Sequence, residues 1–269
     1  MNNRNLYFAL FFLTPMMMVP LLIAQETNST PSPSEQRAMT ILKNMTEYLA
    51  HAERFSVNIR DGYDAVQESG QKIEYGEARK VIVSRPDRLR FEVERSDGQK
   101  VLVIFNGHDL TLYTAKNNFY ATLPRPGNLD EIIKYATDDL KIRVPLAVLF
   151  LSRFPSELDN LVVSADYVET TTIMDVPCDH VAAQTSRGVD FQAWIAQGSE
   201  PLPRRIVITY KDETGEPQFW ADLSDWNLAP AISDALFTFT PPDGAERIQF
   251  LNEVSSAAPT ASPKKEGEK

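Results

Sequence analysis

The sequence predicts an α+β domain built on a large antiparallel sheet. Runs of alternating apolar and polar residues, each long enough for a strand, follow one another and are separated by turn signals. Three segments with helical patterns interrupt these runs, one before the first strand and two in the middle of the chain. About ten strands with so few helices are typical of one sheet that curls or closes on itself.

The first segment has the pattern of an export signal. Residues 1–4 form a short positive start, residues 6–24 carry no charged side chain, and a polar stretch follows. This order predicts a signal peptide at 1–24, cleaved after Ala24 and without a lipid anchor, because no cysteine lies near the cut. The alternative is an uncleaved membrane anchor, since the apolar run approaches the ~20 residues that span a bilayer. Pro15 and Pro20 disfavour a continuous helix there, which argues against the anchor. Since cleavage removes the segment, no stable membrane span is expected afterwards.

The clearest helix of the sequence begins at Ser34 and ends near Ala52. Its apolar residues recur at helical spacing and form one stripe, while charged residues lie on the opposite side. The polar Pro/Ser/Thr-rich segment before it predicts a linker at 25–33, and the Ser/Ala/Pro/Lys/Glu-rich end of the chain predicts a disordered tail at 252–269. One domain is therefore expected at 34–251.

Strand patterns follow the helix as a meander. Ser96-Asp97-Gly98, Asn106-Gly107 and Asn117-Asn118 are turn signals between consecutive strands, which makes the neighbours antiparallel. The strands are expected at 55–59, 88–95, 101–105, 110–113 and 119–123. Residues 101–105 are all apolar, so the side chains on both faces of this strand are apolar and both faces are expected to be covered. One cover is a helix, and the other is either packed core or an internal cavity.

The middle of the chain changes to helical spacing and then returns to strands. One helix is expected from Leu129 to Ala136 and a second from Pro145 to Leu151, beginning at the proline. The later strands are expected at 162–168, 171–176, 179–185, 191–195, 205–210, 218–226 and 237–239.

Composition and motifs exclude several functions. The formal net charge of −10 disfavours nucleic acid as a partner, because phosphate binding needs a cationic surface. Nucleophile elbows, phosphate-binding glycine loops and zinc helices do not occur in the sequence. Cys178 and His180 share a strand face as a thiol or metal candidate, and Asp222 with Asp225 could serve acid–base chemistry, but a buried cysteine and solvated carboxylates are the better interpretation. We expect no enzyme, no cofactor and no metal site.

Five segments together carry a resemblance to a known family. Residues 84–91, 176–180, 189–195, 202–211 and 237–245 include Leu202-Pro203-Arg204-Arg205 and the ending Phe-x-Phe-x-Pro-Pro-x-Gly-Ala. They resemble the predicted periplasmic proteins grouped as domain of unknown function 2092, a relative of the LolA/LolB-like lipoprotein carriers. The resemblance spans roughly residues 34–251 and places the protein in the periplasm.

The resemblance implies a strongly curved antiparallel half-barrel whose concave face is covered by helices. In such carriers the space between sheet and helices holds acyl chains, which implies a lid at residues 145–154 and a hydrophobic ligand or lipoprotein acyl chain as partner. The implied cavity-lining residues are Phe91, Leu102, Ile104, Leu112, Phe119, Leu146, Leu149 and Phe150. The alternative is an envelope interaction module with a packed interior that docks a protein partner.

Overall fold

The computed structural model describes residues 30–142 and 144–250, and all of its helices and strands lie in one compact unit that begins at Ser32. The expected signal peptide, most of the expected linker and the expected tail lie outside the described residues. Helices are α1 (Pro33–His51), α2 (Leu129–Lys134) and α3 (Phe154–Leu161). Strands are β1 (Arg54–Val66), β2 (Lys72–Ser84), β3 (Arg88–Arg95), β4 (Lys100–Phe105), β5 (Asp109–Thr114), β6 (Phe119–Pro124), β7 (Val162–Ile173), β8 (Val176–Thr185), β9 (Val189–Ala196), β10 (Pro203–Tyr210), β11 (Gln218–Asn227) and β12 (Glu246–Arg247).

The described strands form one curved, open sheet in the order β12-β6-β5-β4-β3-β2-β1-β11-β10-β9-β8-β7. Every neighbouring pair is antiparallel except β12 with β6. Two meanders, one from each half of the chain, meet where β1 pairs with both β2 and β11. The predicted fold class, an α+β antiparallel half-barrel with helices over one face, is confirmed.

Helix α1 covers one face of the sheet, which we call the inner face; the opposite face is the outer face. The helix begins at Pro33, one residue before the expected start, and the Ser32 side chain caps it by accepting the Glu35 N–H at 3.1 Å. Ser34 instead fixes the helix to the edge strand, because its Oγ accepts the Tyr167 N–H at 3.0 Å. The buried stripe consists of Ala38, Leu42, Met45, Thr46 and Leu49.

The middle of the chain differs from the prediction. Helix α2 is present, with a capping box between Asn128 and Glu131. The helix expected at 145–151 is a single 3₁₀ turn, Ala147–Phe150, because the apolar run is too short to form a helix by itself. Helix α3 was not predicted, and it has a proline in its first turn.

The structure corrects four strand assignments, two of them missed strands and two of them expected strands that do not form. The sequence missed the long strand β2, whose polar residues hide its alternation, and the very short β12. The expected separate strand at 171–176 does not form: residues 171–173 are the end of β7, Met174 and Asp175 form the turn with positive φ, and Val176 begins β8. The strand expected at 237–239 does not form: Phe237 is the last residue of the 3₁₀ turn Asp234–Phe237 and packs on the outer face against Ile82 and Ile104, and residues 238–239 are irregular.

Among the described residues, no helix combines the length and the hydropathy that a bilayer crossing requires.

Candidate functional site

The inner face carries the main hydrophobic core of the protein. Alternate residues of each strand point towards α1, α3 and the 3₁₀ turn, so Val57, Val81, Ala193 and Leu223 are all buried there. We call α1, α3 and the 3₁₀ turn the cover, and the packing of side chains beneath it is incomplete. Two cavities remain on the inner face, one on each side of Pro145.

The apolar cavity has a volume of about 260 Å³ and lies between helices α1 and α3, the 3₁₀ turn and strands β9 and β10. Its wall is apolar apart from Thr185 and Arg187. The apolar lining residues are Met45, Pro145, Leu146, Val148, Leu149, Phe154, Leu158, Leu161, Val162, Val189, Phe191, Ala193, Ile206 and Ile208. A space with so few polar groups on its wall holds ordered water poorly, and it suits hydrocarbon.

The mixed cavity has a volume of about 420 Å³ and adjoins the apolar cavity. Pro145 lines both cavities, and Ile208 of the first is the cross-strand partner of Phe219 of the second. Apolar side chains such as Phe91 and Val103 form much of its wall. Its distinguishing feature is a group of charged side chains on the inner face of β2 and β3: Glu77, Arg79 and Arg95.

These charges and Asp61 form what we call the ion cluster. Nη2 of Arg79 lies 2.7 Å from Asp61 Oδ2 and 2.8 Å from Glu77 Oε2, and Nε of Arg95 lies 3.2 Å from Glu77 Oε1. The Asp61 side chain is only 1% exposed, and neither of its oxygens receives a hydrogen bond of good geometry from the described residues. Burial raises the pKa of Asp61 to about 6, and Glu77 adds to the rise while Arg79 opposes it.

Arg85 holds the cover in place. Its guanidinium donates to three backbone carbonyls, those of Phe150 at 2.8 Å, Ala52 at 3.1 Å and Leu49 at 3.5 Å. The contact joins the end of α1 to the 3₁₀ turn. Burial lowers the pKa of Arg85, and the nearby Asp130 carboxylate opposes this effect. A guanidinium with several donors in a fixed geometry suits this bridging role.

The structure brings together part of the site expected from the sequence. Leu146 and Leu149 line the apolar cavity, and Phe91 lines the mixed cavity. Phe150 is buried beside them, but it packs in the core with its ring 6.2 Å from that of Phe55. Leu112 and Phe119 also belong to the inner face, further along the sheet, and line neither cavity.

Leu102 and Ile104 require a correction, because they lie on the outer face. Strand β4 alternates, so its inner residues are Val101, Val103 and Phe105, while Ile104 packs with Phe237. As expected, both faces of β4 are covered, because the C-terminal segment around Phe237 packs on the outer face. Because every residue of the run is apolar, the sequence alone does not show which of them face the helices.

Sequence reasoning missed every charged residue of the site. Glu77 and Arg79 lie on β2, which was not predicted, and a charged residue in a strand is usually assigned to solvent. A signal was nevertheless available. Both residues share the parity of Val81 and Val83, so a strand drawn through them would have turned two charges towards the core.

The chemical candidates of the sequence do not form a common site. Cys178 is fully buried, its Sγ donates to the Val176 carbonyl at 3.3 Å, and burial raises the pKa of its thiol. The His180 ring stacks on Trp194 and its Nε2 lies 3.0 Å from the Gln192 amide oxygen. Asp222 pairs with Arg205 at 2.8 Å. In the described part of the chain, no group of three or more His, Cys, Asp or Glu side chains is placed to hold a metal ion.

Several solved structures share features of the fold at low sequence identity. LprF from Mycobacterium bovis is 14% identical with a TM-score of 0.47, covering 81% of this chain and 100% of its own. The lipoprotein LppX from Mycobacterium tuberculosis is 11% identical with a TM-score of 0.45, covering 74% and 100%. A LolA superfamily protein from Nitrosomonas europaea is 14% identical with a TM-score of 0.40, covering 77% and 99%.

Among curated proteins, none matches the sequence significantly. A family model, in contrast, matches residues 38–251, which is most of the chain and includes both cavities and the ion cluster. The family predicted from the sequence is therefore confirmed: the chain belongs to the DUF2092 family of predicted periplasmic proteins.

Proposed function

We propose that the protein is a non-catalytic periplasmic binding protein that holds a lipid, a lipoprotein acyl chain or another amphiphile on the inner face of its sheet. The observation that carries the proposal is the apolar cavity of about 260 Å³ beneath the cover, continued past Pro145 by the mixed cavity of about 420 Å³. Pockets that bind small molecules are typically ~300–1,000 Å³ and mostly apolar, with a few polar groups.

The free energy of such binding comes from burying hydrocarbon. Each buried CH₂ group contributes about 0.8 kcal/mol, so a ten-carbon chain gains about 8 kcal/mol before the cost of association is subtracted. The wall of the apolar cavity gains as well, because its side chains lack contacts across the empty space. Leu146 and Leu149 are the expected lining residues that contribute to this wall.

The cover gives a ligand a route into the interior. Three carbonyl contacts of Arg85 hold the 3₁₀ turn against α1. Displacing this turn by a short distance would open the apolar cavity without separating any strand pair. A carrier needs such an opening, since its ligand must enter and leave the space beneath the helices.

A pair of matched substitutions tests the proposal. Leu149→Trp places an indole into the apolar cavity, and Leu102→Trp makes the same change on the outer face. Delipidated protein is titrated with the neutral fluorescent probe N-phenyl-1-naphthylamine. We expect the wild type and Leu102→Trp to bind the probe with similar affinity, and Leu149→Trp to lose about tenfold or more while remaining folded.

Either of two results would overturn this function. The wild type fails to bind the probe at all, or both tryptophan variants bind it equally well. Native mass spectrometry of gently purified protein provides a second readout, in which a co-purifying lipid should disappear in Leu149→Trp alone. A protein that never carries a lipid and ignores the probe fits the packed interaction module instead.

A further inference from the structure

We propose that Arg79 receives the polar head of the bound amphiphile and that this head is anionic, such as a carboxylate, phosphate or sulfonate. This inference rests on the proposed function and deepens it. The hydrocarbon occupies the apolar cavity, and the head lies in the mixed cavity against the ion cluster. The cluster would then determine which class of amphiphile the protein selects.

The first argument is the number of unused donors on Arg79. Both of its ion pairs, with Asp61 and with Glu77, use the same nitrogen, Nη2. Nη1 takes part in neither pair, and Nε is buried without an acceptor among the described residues. A guanidinium has five N–H groups, and the two on Nη1 have no acceptor in either ion pair. An oxygen-rich head group lying against Arg79 would supply an acceptor for Nη1.

The second argument is that the carboxylates of the cluster are not open to a cationic head. Glu77 uses Oε1 for Arg95 and Oε2 for Arg79. Asp61 is 1% exposed and does not line the mixed cavity. Two further carboxylates, Asp64 and Glu213, line the cavity outside the cluster, and Asp64 accepts the Gln218 N–H at 3.0 Å and lies 3.7 Å from Lys72 Nζ. Within the ion cluster, the groups that remain available to a head group are therefore the donors of the arginines. Electrostatic contacts in this partly dry space are stronger than in water, which favours a charged acceptor over a neutral one.

The third argument is the position of the cluster relative to the two cavities. Arg79 lies over the Phe91 ring, 5.7 Å from its centroid, so apolar wall leads directly to the charged group. Beyond it, Tyr63 is 42% exposed and marks the open end of the mixed cavity. A ligand oriented by these features has its tail under the helices, its head at Arg79 and a path to solvent at the head end.

The test compares three probes with the same chain and different heads: dodecanesulfonate, dodecanol and dodecylamine, each below its micelle concentration. Competition with N-phenyl-1-naphthylamine gives their affinities. The double variant Asp61→Asn/Arg79→Gln removes the charge at the head site without leaving an unpaired carboxylate inside. The matched control Arg205→Gln/Asp222→Asn removes an ion pair of 2.8 Å from the outer face.

We expect the double variant to lose about tenfold or more in sulfonate affinity while its dodecanol affinity stays at the wild-type value, which also shows that it is folded. The control should match the wild type for all three probes. Unchanged sulfonate affinity in the double variant overturns the inference, and so does a wild type that prefers dodecylamine; in both cases dodecanol binding leaves the proposed function standing. If dodecanol also fails to bind, the proposed function falls with it.

Discussion

Ionisation of Asp61 should make the protein less stable at neutral pH than at mildly acidic pH. A carboxyl group whose pKa is raised by folding binds its proton more tightly in the native state than in the unfolded chain. Unfolding then releases a proton, and the free energy of unfolding falls as the pH rises between the two pKa values. Replacing Asp61 by Asn removes this dependence, because the amide does not ionise.

The magnitude follows from the two pKa values. The native value is about 6 and the ordinary value is 3.8, and each unit corresponds to ~1.36 kcal/mol. Ionised Asp61 therefore costs about 3 kcal/mol at a pH well above 6. Between pH 4.5 and 7.5 only part of this range is crossed, so we expect the wild type to lose about 2 kcal/mol relative to Asp61→Asn.

Urea unfolding of ligand-free protein at pH 4.5, 6 and 7.5 measures this difference. Asp61→Asn is compared with the wild type, since other carboxylates contribute a pH dependence that both proteins share. Asp222→Asn, on the outer face, is the control and should keep the wild-type difference because Asp61 is still present. Parallel pH profiles for the wild type and Asp61→Asn would refute the reasoning about the ion cluster.

Two further substitutions test the cover and the outer face. Arg85→Met removes the donors to three carbonyls, and we expect a loss of about 2–4 kcal/mol in urea unfolding together with faster release of a bound probe; Arg85→Lys should recover little, since an ammonium cannot bridge all three. An unchanged release rate would contradict the role of Arg85 in the cover. Gly62→Ala would bring a Cβ to 2.7 Å from Trp220 Nε1 and should cost about 1–3 kcal/mol in thermal unfolding. Its cross-strand partner is the control: Gly76→Ala meets its nearest atom at 3.5 Å, so an equal loss there would show that steric contact with Trp220 is not the cause.

Local signals predicted the strands that are joined by tight turns. Asn106-Gly107 was assigned to a turn from its residue types, and Gly107 has a φ of +89° between β4 and β5. The long amphipathic stripe of α1 was predicted for a similar reason, since its periodicity persists over five turns. Where the pattern depends on distant residues, prediction was less successful. The apolar run at 145–151 has no intrinsic preference strong enough to choose a helix over the 3₁₀ turn that its neighbours impose.

The candidate site was predicted in its apolar half alone. Leu146 and Leu149 follow from an apolar run that needs a covering partner, which is a property of the sequence. Asp61, however, lies opposite Glu77 and diagonal to Arg79 across β1 and β2, and the buried pair cannot be recognised until that strand pairing is known. Leu102 shows the same dependence, because a strand that is apolar at both parities does not reveal which side faces the helices.

The position of α1 has a consequence for synthesis of the protein. Ser34, at the start of the helix, bonds to Tyr167 of β7, which is 133 residues later in the chain. A ribosome releases the helix long before its partner strands exist, so the apolar stripe has no native surface to cover during most of translation. Assembly of the inner face is therefore expected to be a late event, and we expect Leu42, Met45 and Leu49 to need protection in the nascent chain until β7 and β8 are made.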